Sequence, residues 1–102
     1  MGLLNRLLGR TGATHAAAQA QAEHGVAIYW RPGCPFCLAL TAAVRRHAGR
    51  AAWVDIWQDP DARAYVRSVN DGNETVPTVV IDGVAHTNPA PGLVLAALRR
   101  GP

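Results

Sequence analysis

In Arg31-Pro32-Gly33-Cys34-Pro35-Phe36-Cys37, the chain places its only two cysteines three residues apart. An apolar run, Val26–Trp30, precedes this stretch, and a helical pattern over residues 38–47 follows it. Both thiols are therefore predicted to lie where a strand gives way to a helix. Proline is well tolerated in the first helical turn, so Cys34 should lie at the mouth of the helix and Cys37 one turn inside.

This position favours a reactive sulfur at Cys34. The unpaired N–H groups and the positive end of the helix dipole stabilise a thiolate, which is the nucleophilic form of cysteine. Cys37 is expected on the same helix face, where it is placed to resolve a disulfide that Cys34 forms. The pair is therefore predicted to carry thiol-disulfide chemistry.

Three other roles for the cysteines are less well supported. A zinc site needs four ligands, and none of the four histidines has the H-x3-5-H spacing, so no metal is predicted. A structural disulfide would close too short a loop to restrict the unfolded chain much. Buried, inert thiols are the third alternative, but a Gly-Cys-Pro turn at the end of a strand is expected to face solvent.

Composition limits the function further. The chain has 102 residues, of which 49% are hydrophobic and 17% charged, as expected for one folded domain. The net charge of +3 is mild, and no basic stripe interleaved with aromatic residues predicts nucleic-acid binding. No apolar stretch approaches the roughly 18 residues that cross a bilayer. Two cysteines confined to one CxxC motif fit a reducing cytoplasm.

The first part of the chain differs from the rest. Residues 1–24 are predicted to be an N-terminal extension, helical or partly disordered, ahead of a compact domain at residues 25–102. Four leucines at residues 3–8 share one helical face, which would pack on the domain or lie on a membrane surface. This Leu- and Ala-rich leader also resembles a mitochondrial presequence. Thr11 or Thr14 is expected to cap a second helix.

The compact domain alternates strands and helices. The predicted strands are Val26–Trp30, Ala52–Ile56, Thr75–Ile81 and Val84–His86, and helices follow Cys34, Asp59-Pro60 and Asn88-Pro89. The order is β-α-β-α-β-β-α, which predicts an α/β fold. The helix-linked strands imply a parallel core, and the Asp82-Gly83 hairpin adds an antiparallel edge. Ligands on such a sheet bind beyond the carboxyl ends of the strands, where the cysteines lie.

Periodicity assigns buried faces to the later helices. In the helix after Asp59, the residues predicted to be buried are Ala64, Tyr65 and Val69. Asn88 is expected to cap the last helix, whose predicted buried face consists of Leu93, Val94, Ala97 and Leu98.

Three features resemble the glutaredoxin branch of the thioredoxin fold. They are the CPFC motif between strand and helix, Thr75-Val76-Pro77 at the start of the third strand, and the Asp82-Gly83 hairpin before the last helix. The resemblance spans residues 26–98 and implies a three-layer domain around a four-stranded mixed sheet. It also implies a cis peptide bond at Pro77, which faces the active-site cysteine and leaves the backbone of Val76 free to pair with a thiol substrate.

The segment before the last helix departs from glutathione-using glutaredoxins, which carry a Gly-Gly-x-Asp-Asp-like segment there. This chain has Thr87-Asn88-Pro89-Ala90-Pro91, with no acid and no paired glycines. Together with residues 68–78, the segment resembles the actinobacterial mycoredoxins, whose partner thiol is mycothiol, a sugar-linked cysteine. The Asn88 side chain and the start of the last helix would offer neutral donors to such a ligand.

The resemblance implies an enzyme that reduces mixed disulfides between proteins and mycothiol, with mycothiol as co-substrate and no tightly bound cofactor. The implied catalytic residues are Cys34 and Cys37, and the implied thiol-binding residues are Arg31, Phe36, Thr75, Val76, Pro77, Thr87 and Asn88. Arg31 would hold the thiolate by charge. Phe36 would contact the partner, whereas Trp30, Trp53 and Trp57 are expected to pack in the core or at its rim.

Two alternatives remain at this point. One is a redoxin that receives electrons from thioredoxin reductase and reduces ribonucleotide reductase or other protein disulfides, although the usual Trp-Ser-Gly-Phe-like segment is missing. The other is a non-catalytic adaptor that docks a partner through residues 3–8. The favoured interpretation is a cytoplasmic monomer whose partners are mycothiolated or disulfide-bonded proteins, a low-molecular-weight thiol and an NADPH-dependent reductase.

Overall fold

The computed structural model describes residues 12–100, so the leucine-rich segment at residues 3–8 lies outside the described part of the chain. The elements in order are α1 (His15–Ala22), β1 (Val26–Trp30), α2 (Pro35–Ala43), a 3-10 helix (Arg45–Arg50), β2 (Ala52–Asp55), α3 (Pro60–Val69), β3 (Thr78–Ile81), β4 (Val84–Thr87) and α4 (Pro91–Arg100). None of the helices within residues 12–100 has the length and apolar character needed to cross a membrane.

The strands form one mixed sheet in the order β2-β1-β3-β4, which confirms the predicted α/β fold class. Strand β1 runs parallel to β2, with Ile28 opposite Trp53. Strand β3 runs antiparallel to β1, with Tyr29 opposite Thr78, and β4 is antiparallel to β3. The prediction of a parallel core was therefore wrong for β3.

The end of α3 lies next to the start of β3. The Asn70 side chain donates to the carbonyl of Val66 at 2.8 Å and to the hydroxyl of Thr78 at 3.0 Å. The helix therefore ends beside the start of β3, at the sheet edge where β1 also ends. Because the chain does not cross back over the sheet before β3, it enters this strand from the opposite direction.

Helices cover both faces of the sheet, so all five residues of β1 are buried. Tyr29 accepts a hydrogen bond from Gln19 of α1 at 2.8 Å and stacks on Tyr65 of α3, with ring centroids 5.1 Å apart. On the other face, the indole of Trp53 donates to the carbonyl of Ala48 in the 3-10 helix at 2.8 Å. Side chains alternate between faces along a strand, and the domain therefore has the three layers expected from the resemblance.

Helix α1 packs directly on the sheet, with Ala18 and Ala22 fully buried. The Thr14 hydroxyl caps it by accepting from the N–H of Ala17 at 3.2 Å. The backbone of His15 also donates to the Asp59 carboxylate at 2.9 Å. The domain boundary at residue 24 stays a prediction, but α1 contributes side chains to the same hydrophobic core as the strands.

The Asp59 carboxylate joins the starts of two helices. It accepts from the N–H groups of Asp61 and Ala62 at 3.0 and 3.2 Å, which caps α3, and from His15 of α1. Desolvation raises the pKa of Asp59, but these backbone hydrogen bonds outweigh it, and the pKa is lowered overall. This carboxylate therefore links the start of α1 to the start of α3, near the carboxyl end of β2.

The predicted face of α3 was wrong for Ala64 and Val69, and that of α4 was wrong for Leu93, whereas Val94 and Leu98 of α4 are buried as predicted. In α3 the buried residues are Ala62 and Val66, whereas Ala64 is exposed and Val69 is 38% exposed. In α4, Leu93 is 47% exposed. Ala62 and Ala64 lie on different sides of α3, so apolar periodicity alone did not identify its packed side.

Asn88 does not cap α4. The helix begins at Pro91, and Asn88 lies in the preceding loop with a φ of 44°, in the left-handed region. Asparagine tolerates this region better than most residues because its short side chain can bond locally. The expected helix cap at this position was therefore wrong.

Candidate active site

The CPFC motif lies where β1 gives way to α2, at the carboxyl end of the parallel strand pair. Cys34 is the N-cap residue of α2, with extended backbone angles, and Pro35 is the first helical residue. The N–H of Cys37 donates to the sulfur of Cys34 at 3.4 Å. Gly33 has a φ of 77°, which favours glycine and lets the chain turn sharply into the helix.

The segment immediately before β3 lies against the Cys34 sulfur. The Val76–Pro77 peptide bond is cis, as the resemblance implied. The Cys34 thiol donates to the carbonyl of Val76, with 3.6 Å between sulfur and oxygen. The use of the Val76 backbone by a thiol substrate stays a prediction.

The Cys34 sulfur therefore has two backbone contacts of opposite kind. The N–H of Cys37 donates to it, and its own S–H donates to the Val76 carbonyl. A backbone N–H directed at a cysteine sulfur at the start of a helix is typical of reactive cysteines.

The Cys34 side chain points inward. The residue is 3% exposed, so the expectation that the turn presents it to solvent was wrong. Its neighbours Gly33, Pro35 and Phe36 are exposed, and Phe36 retains 62% of its surface. The turn thus lies at the surface, while the Cys34 sulfur is buried below it and contacts the Val76 carbonyl.

Cys37 is also buried, at 3% exposure, and its environment differs from that of Cys34. Burial raises the pKa of the Cys37 thiol to about 12; a backbone hydrogen bond from Arg31 opposes this rise, and the nearby Cys34 adds to it. Within α2, the Thr41 hydroxyl donates to the Cys37 carbonyl at 2.8 Å. Near neutral pH, Cys37 therefore remains a thiol.

Arg31 is directed toward Trp57, which was expected in the core or at its rim. Its guanidinium carbon lies 5.5 Å from the ring centroid of Trp57, and Nη1 donates to the carbonyl of Pro32 at 3.2 Å. Trp57 is 53% exposed. Trp57 follows β2, so it lies at the same end of the parallel strands as Cys34. Residues that follow the carboxyl ends of such strands often bind ligands, and this was the sequence signal for a surface role.

The other predicted thiol-binding residues surround the start of β3. The Asn88 N–H donates to the carbonyl of Pro77 at 2.8 Å, and the Thr75 carbonyl accepts from the hydroxyl of Thr78 at 2.7 Å. The Thr87 hydroxyl donates to the side-chain oxygen of Asn70. Thr87 and Asn88 are exposed. Asn88 thus lies beside Pro77. The residue before Pro77 is Val76, whose carbonyl contacts the Cys34 thiol.

The electrostatics of this loop depend on Glu74, which precedes Thr75. The Glu74 carboxylate pairs with Arg67 and lies 3.9 Å from the side-chain nitrogen of Arg63, both on α3. These ion pairs fix the loop against α3. Within residues 12–100, no group of three or more histidine, cysteine or acidic side chains is arranged to hold a metal ion.

The sequence matches a known family over most of its compact part. Residues 26–86 match the sequence profile of the glutaredoxin family. Mycoredoxin 1 of Corynebacterium glutamicum is 39% identical over 74 residues, which cover 72% of this chain and 91% of that protein. A Mycobacterium tuberculosis protein named as a glutaredoxin is 45% identical over 74 residues, covering 70% of this chain and 86% of that protein.

Solved structures show the same fold. A mutant form of the thioredoxin-like protein BC3987 superposes with a TM-score of 0.60 at 24% identity, covering 72% of this chain and 94% of that one. Wheat glutaredoxin gives a TM-score of 0.59 at 18% identity, covering 85% of this chain and 91% of that one. Both similarities agree with the three-layer arrangement described above.

Proposed function

Because the chain belongs to the glutaredoxin family of thiol-disulfide oxidoreductases, we propose that it reduces mixed disulfides between proteins and mycothiol, with Cys34 as the nucleophile. The observation that carries this proposal is the setting of the Cys34 sulfur. It lies at the N-terminus of α2, 3.4 Å from the N–H of Cys37 and 3.6 Å from the carbonyl of Val76. This is where an attacking thiolate gains stabilisation from backbone donors.

The first step is a thiol-disulfide exchange. The Cys34 thiolate attacks the mycothiol sulfur of the mixed disulfide, so a new sulfur–sulfur bond joins Cys34 to mycothiol. The original disulfide bond breaks, and the substrate protein leaves as a thiolate that takes a proton from solvent. The substrate is thereby reduced, and the enzyme carries mycothiol on Cys34.

The second step releases this mycothiol. The thiolate of a second mycothiol attacks the sulfur of the bound one, which gives mycothiol disulfide and restores the Cys34 thiolate. Attack by Cys37 would instead give a disulfide between residues 34 and 37. The raised pKa of Cys37 supports the first route, because a thiol is a much weaker nucleophile than a thiolate. An NADPH-dependent reductase would then reduce mycothiol disulfide.

The proposed thiol site extends from Cys34 toward the loop before α4. Thr87 and Asn88 are exposed there, and the Asn88 backbone is bonded to Pro77, which leaves its amide side chain for a ligand. An amide both donates and accepts hydrogen bonds, as a sugar hydroxyl does. The relative named mycoredoxin supports mycothiol as the thiol. Exposed Phe36 and Trp57 would contact the protein part of the substrate.

We further propose that the protein acts as a cytoplasmic monomer. Its partners would be mycothiolated or disulfide-bonded proteins, the low-molecular-weight thiol and the reductase. In this scheme no cofactor is bound tightly, because each step exchanges one disulfide for another.

The test uses one substrate protein prepared as two mixed disulfides, one with mycothiol and one with glutathione. Release of the substrate thiol should be at least about tenfold faster from the mycothiol disulfide, with excess mycothiol as reductant. Equal rates would contradict the assignment of mycothiol while leaving the oxidoreductase activity intact.

Two serine variants assign the steps. Cys34→Ser should abolish release of the substrate thiol, because it removes the attacking sulfur. Cys37→Ser should retain most of the activity, because the second mycothiol discharges Cys34. Loss of turnover in Cys37→Ser would show a dithiol route, and steady NADPH oxidation with thioredoxin reductase alone would favour the redoxin alternative.

A further inference from the structure

Most arginine side chains of the described residues have a partner. Arg63 and Arg67 lie against Glu74, Arg100 pairs with Asp82, Arg50 donates to the carbonyl of Leu98, and Arg31 stacks on Trp57. The side chains of Arg45, Arg46 and Arg99 form no ion pair or hydrogen bond with any residue between 12 and 100. Their charges are therefore not compensated within this part of the chain.

These three arginines line the same groove. It lies between α4 and the segment where α2 passes into the 3-10 helix, and it has a volume of about 360 Å³. His47 adds a fourth nitrogen side chain, and Leu95 with two alanines of α2 forms an apolar wall. No carboxylate is among the described residues that line it. The volume falls at the lower end of the range of ligand cavities, about 300–1,000 Å³.

Neutralisation of helix ends does not account for the whole cluster, although Arg45 and Arg46 directly follow the end of α2. A cation near the last turn of a helix is favourable, and α4 ends with both Arg99 and Arg100. Arg100, however, already lies at that end and is paired with Asp82 at 3.3 Å. Three unpaired guanidinium groups around one groove repel each other, and the repulsion is relieved when an anion binds between them.

We propose that this groove is a binding site for a compact phosphate-bearing anion. The guanidinium fork matches phosphate oxygens bidentately, and the groove concentrates several such forks in a small volume. An acidic peptide would spread its carboxylates along an extended chain instead. The ligand is thus defined by its phosphate groups, whether these belong to a free oligophosphate or to a phospholipid headgroup.

The groove is separate from the redox site. Cys34 precedes α2 and Arg45 follows it, so the two are about 16 Å apart along the helix at 1.5 Å per residue. A ligand in the groove would therefore leave the Cys34 sulfur accessible to its substrate. This inference does not rest on the choice of mycothiol as co-substrate.

The experiment measures binding of inorganic tripolyphosphate to the whole protein by isothermal titration calorimetry at low salt. We expect one ligand per chain. Arg45→Ser, Arg46→Ser and Arg99→Ser should each weaken binding by about tenfold or more, since each removes a charge-assisted contact. Arg100→Ser is the matched control, because it removes the same charge from the same helix end outside the groove, and it should change the affinity less than about threefold.

A second measurement identifies the source of the phosphate. Phosphatidylcholine vesicles with and without phosphatidic acid are tested by co-sedimentation. Loss of binding in the groove variants supports the site. If the protein binds tripolyphosphate, the ligand is a free oligophosphate. If it binds only the vesicles with phosphatidic acid, the ligand is a lipid headgroup. The groove variants should keep the wild-type rate of mixed-disulfide reduction, which shows that they are folded.

Three results would overturn the proposal. The first is no binding of either probe. The second is an equal loss of affinity in Arg100→Ser and Arg99→Ser, which would show only general charge attraction. The third is a decaglutamate peptide that binds as tightly as tripolyphosphate, which would identify the groove as a contact for acidic proteins.

Discussion

Cys37 should be nearly inert to alkylation near neutral pH, although it lies one helical turn from Cys34. In Cys34→Ser it is the only thiol of the chain. Burial is the largest cause of the rise in the pKa of Cys37 from 9.0 to about 12, and burial persists in this variant, whereas the contribution of Cys34 is lost. A rise of two in the pKa already lowers the thiolate fraction about a hundredfold. We therefore expect iodoacetamide to react at least about a hundredfold more slowly than with N-acetylcysteine.

The assay is a time course at pH 7.5, followed by mass spectrometry of the intact protein. The same variant in concentrated urea is the control, and its Cys37 should react at the rate of the free reference thiol because unfolding removes the burial. The folded rate should rise with pH well above pH 9. A folded protein that reacts as fast as the reference at pH 7.5 would refute the argument that burial keeps Cys37 protonated.

Three further predictions concern stability and substrate contact. Asp59→Ala should lower the free energy of unfolding in urea at pH 7 by about 1–2 kcal/mol, because it removes the cap of α3 and the contact with α1. The folded-state pKa of Asp59 is lowered, so its stabilising effect is present above its unfolded pKa of about 3.9 and is lost as the pH falls through the folded value. The difference between Asp59→Ala and wild type should therefore shrink in acid, and a constant difference would contradict this. Ala18→Glu places a carboxylate at a fully buried site and should lower the free energy of unfolding by about 3 kcal/mol or more. Ala20→Glu, on the exposed side of α1, is the control and should lower it by less than about 0.5 kcal/mol. Equal melting temperatures of the two variants would contradict the packing of α1. Trp57→Ala should raise KM for a protein mixed disulfide severalfold without changing the alkylation rate of Cys34, and an unchanged KM would exclude a substrate contact.

Local sequence signals predicted the elements around the cysteines correctly. The apolar run became β1, and Pro35 began α2 with Cys34 at its N-cap. The Asp82-Gly83 pair became the turn between β3 and β4. These features depend on the chemistry of a few adjacent residues, namely the missing N–H of proline and the turn preference of Asp-Gly. The family resemblance added the cis bond at Pro77, which local chemistry alone does not predict.

Features that depend on distant parts of the chain were not predictable in the same way. The inward position of the Cys34 sulfur depends on the Val76 carbonyl, 42 residues later. Strand β3 is antiparallel to β1, and its first residue, Thr78, contacts Asn70 at the end of α3. The stacking of Arg31 on Trp57 likewise joins two loops that meet only after β1 and β2 have paired. In each case the partner lies on another element, so periodicity and turn signals carry no information about it.

The most direct test of Cys34 as the attacking sulfur is to identify the intermediate that it forms. Cys37→Ser is mixed with one equivalent of a mycothiolated protein without free mycothiol, quenched with acid and analysed by mass spectrometry. We expect one mycothiol on Cys34 and an equal amount of substrate protein with a free thiol. Substrate protein linked to Cys34 through a disulfide, with mycothiol released instead, would contradict it.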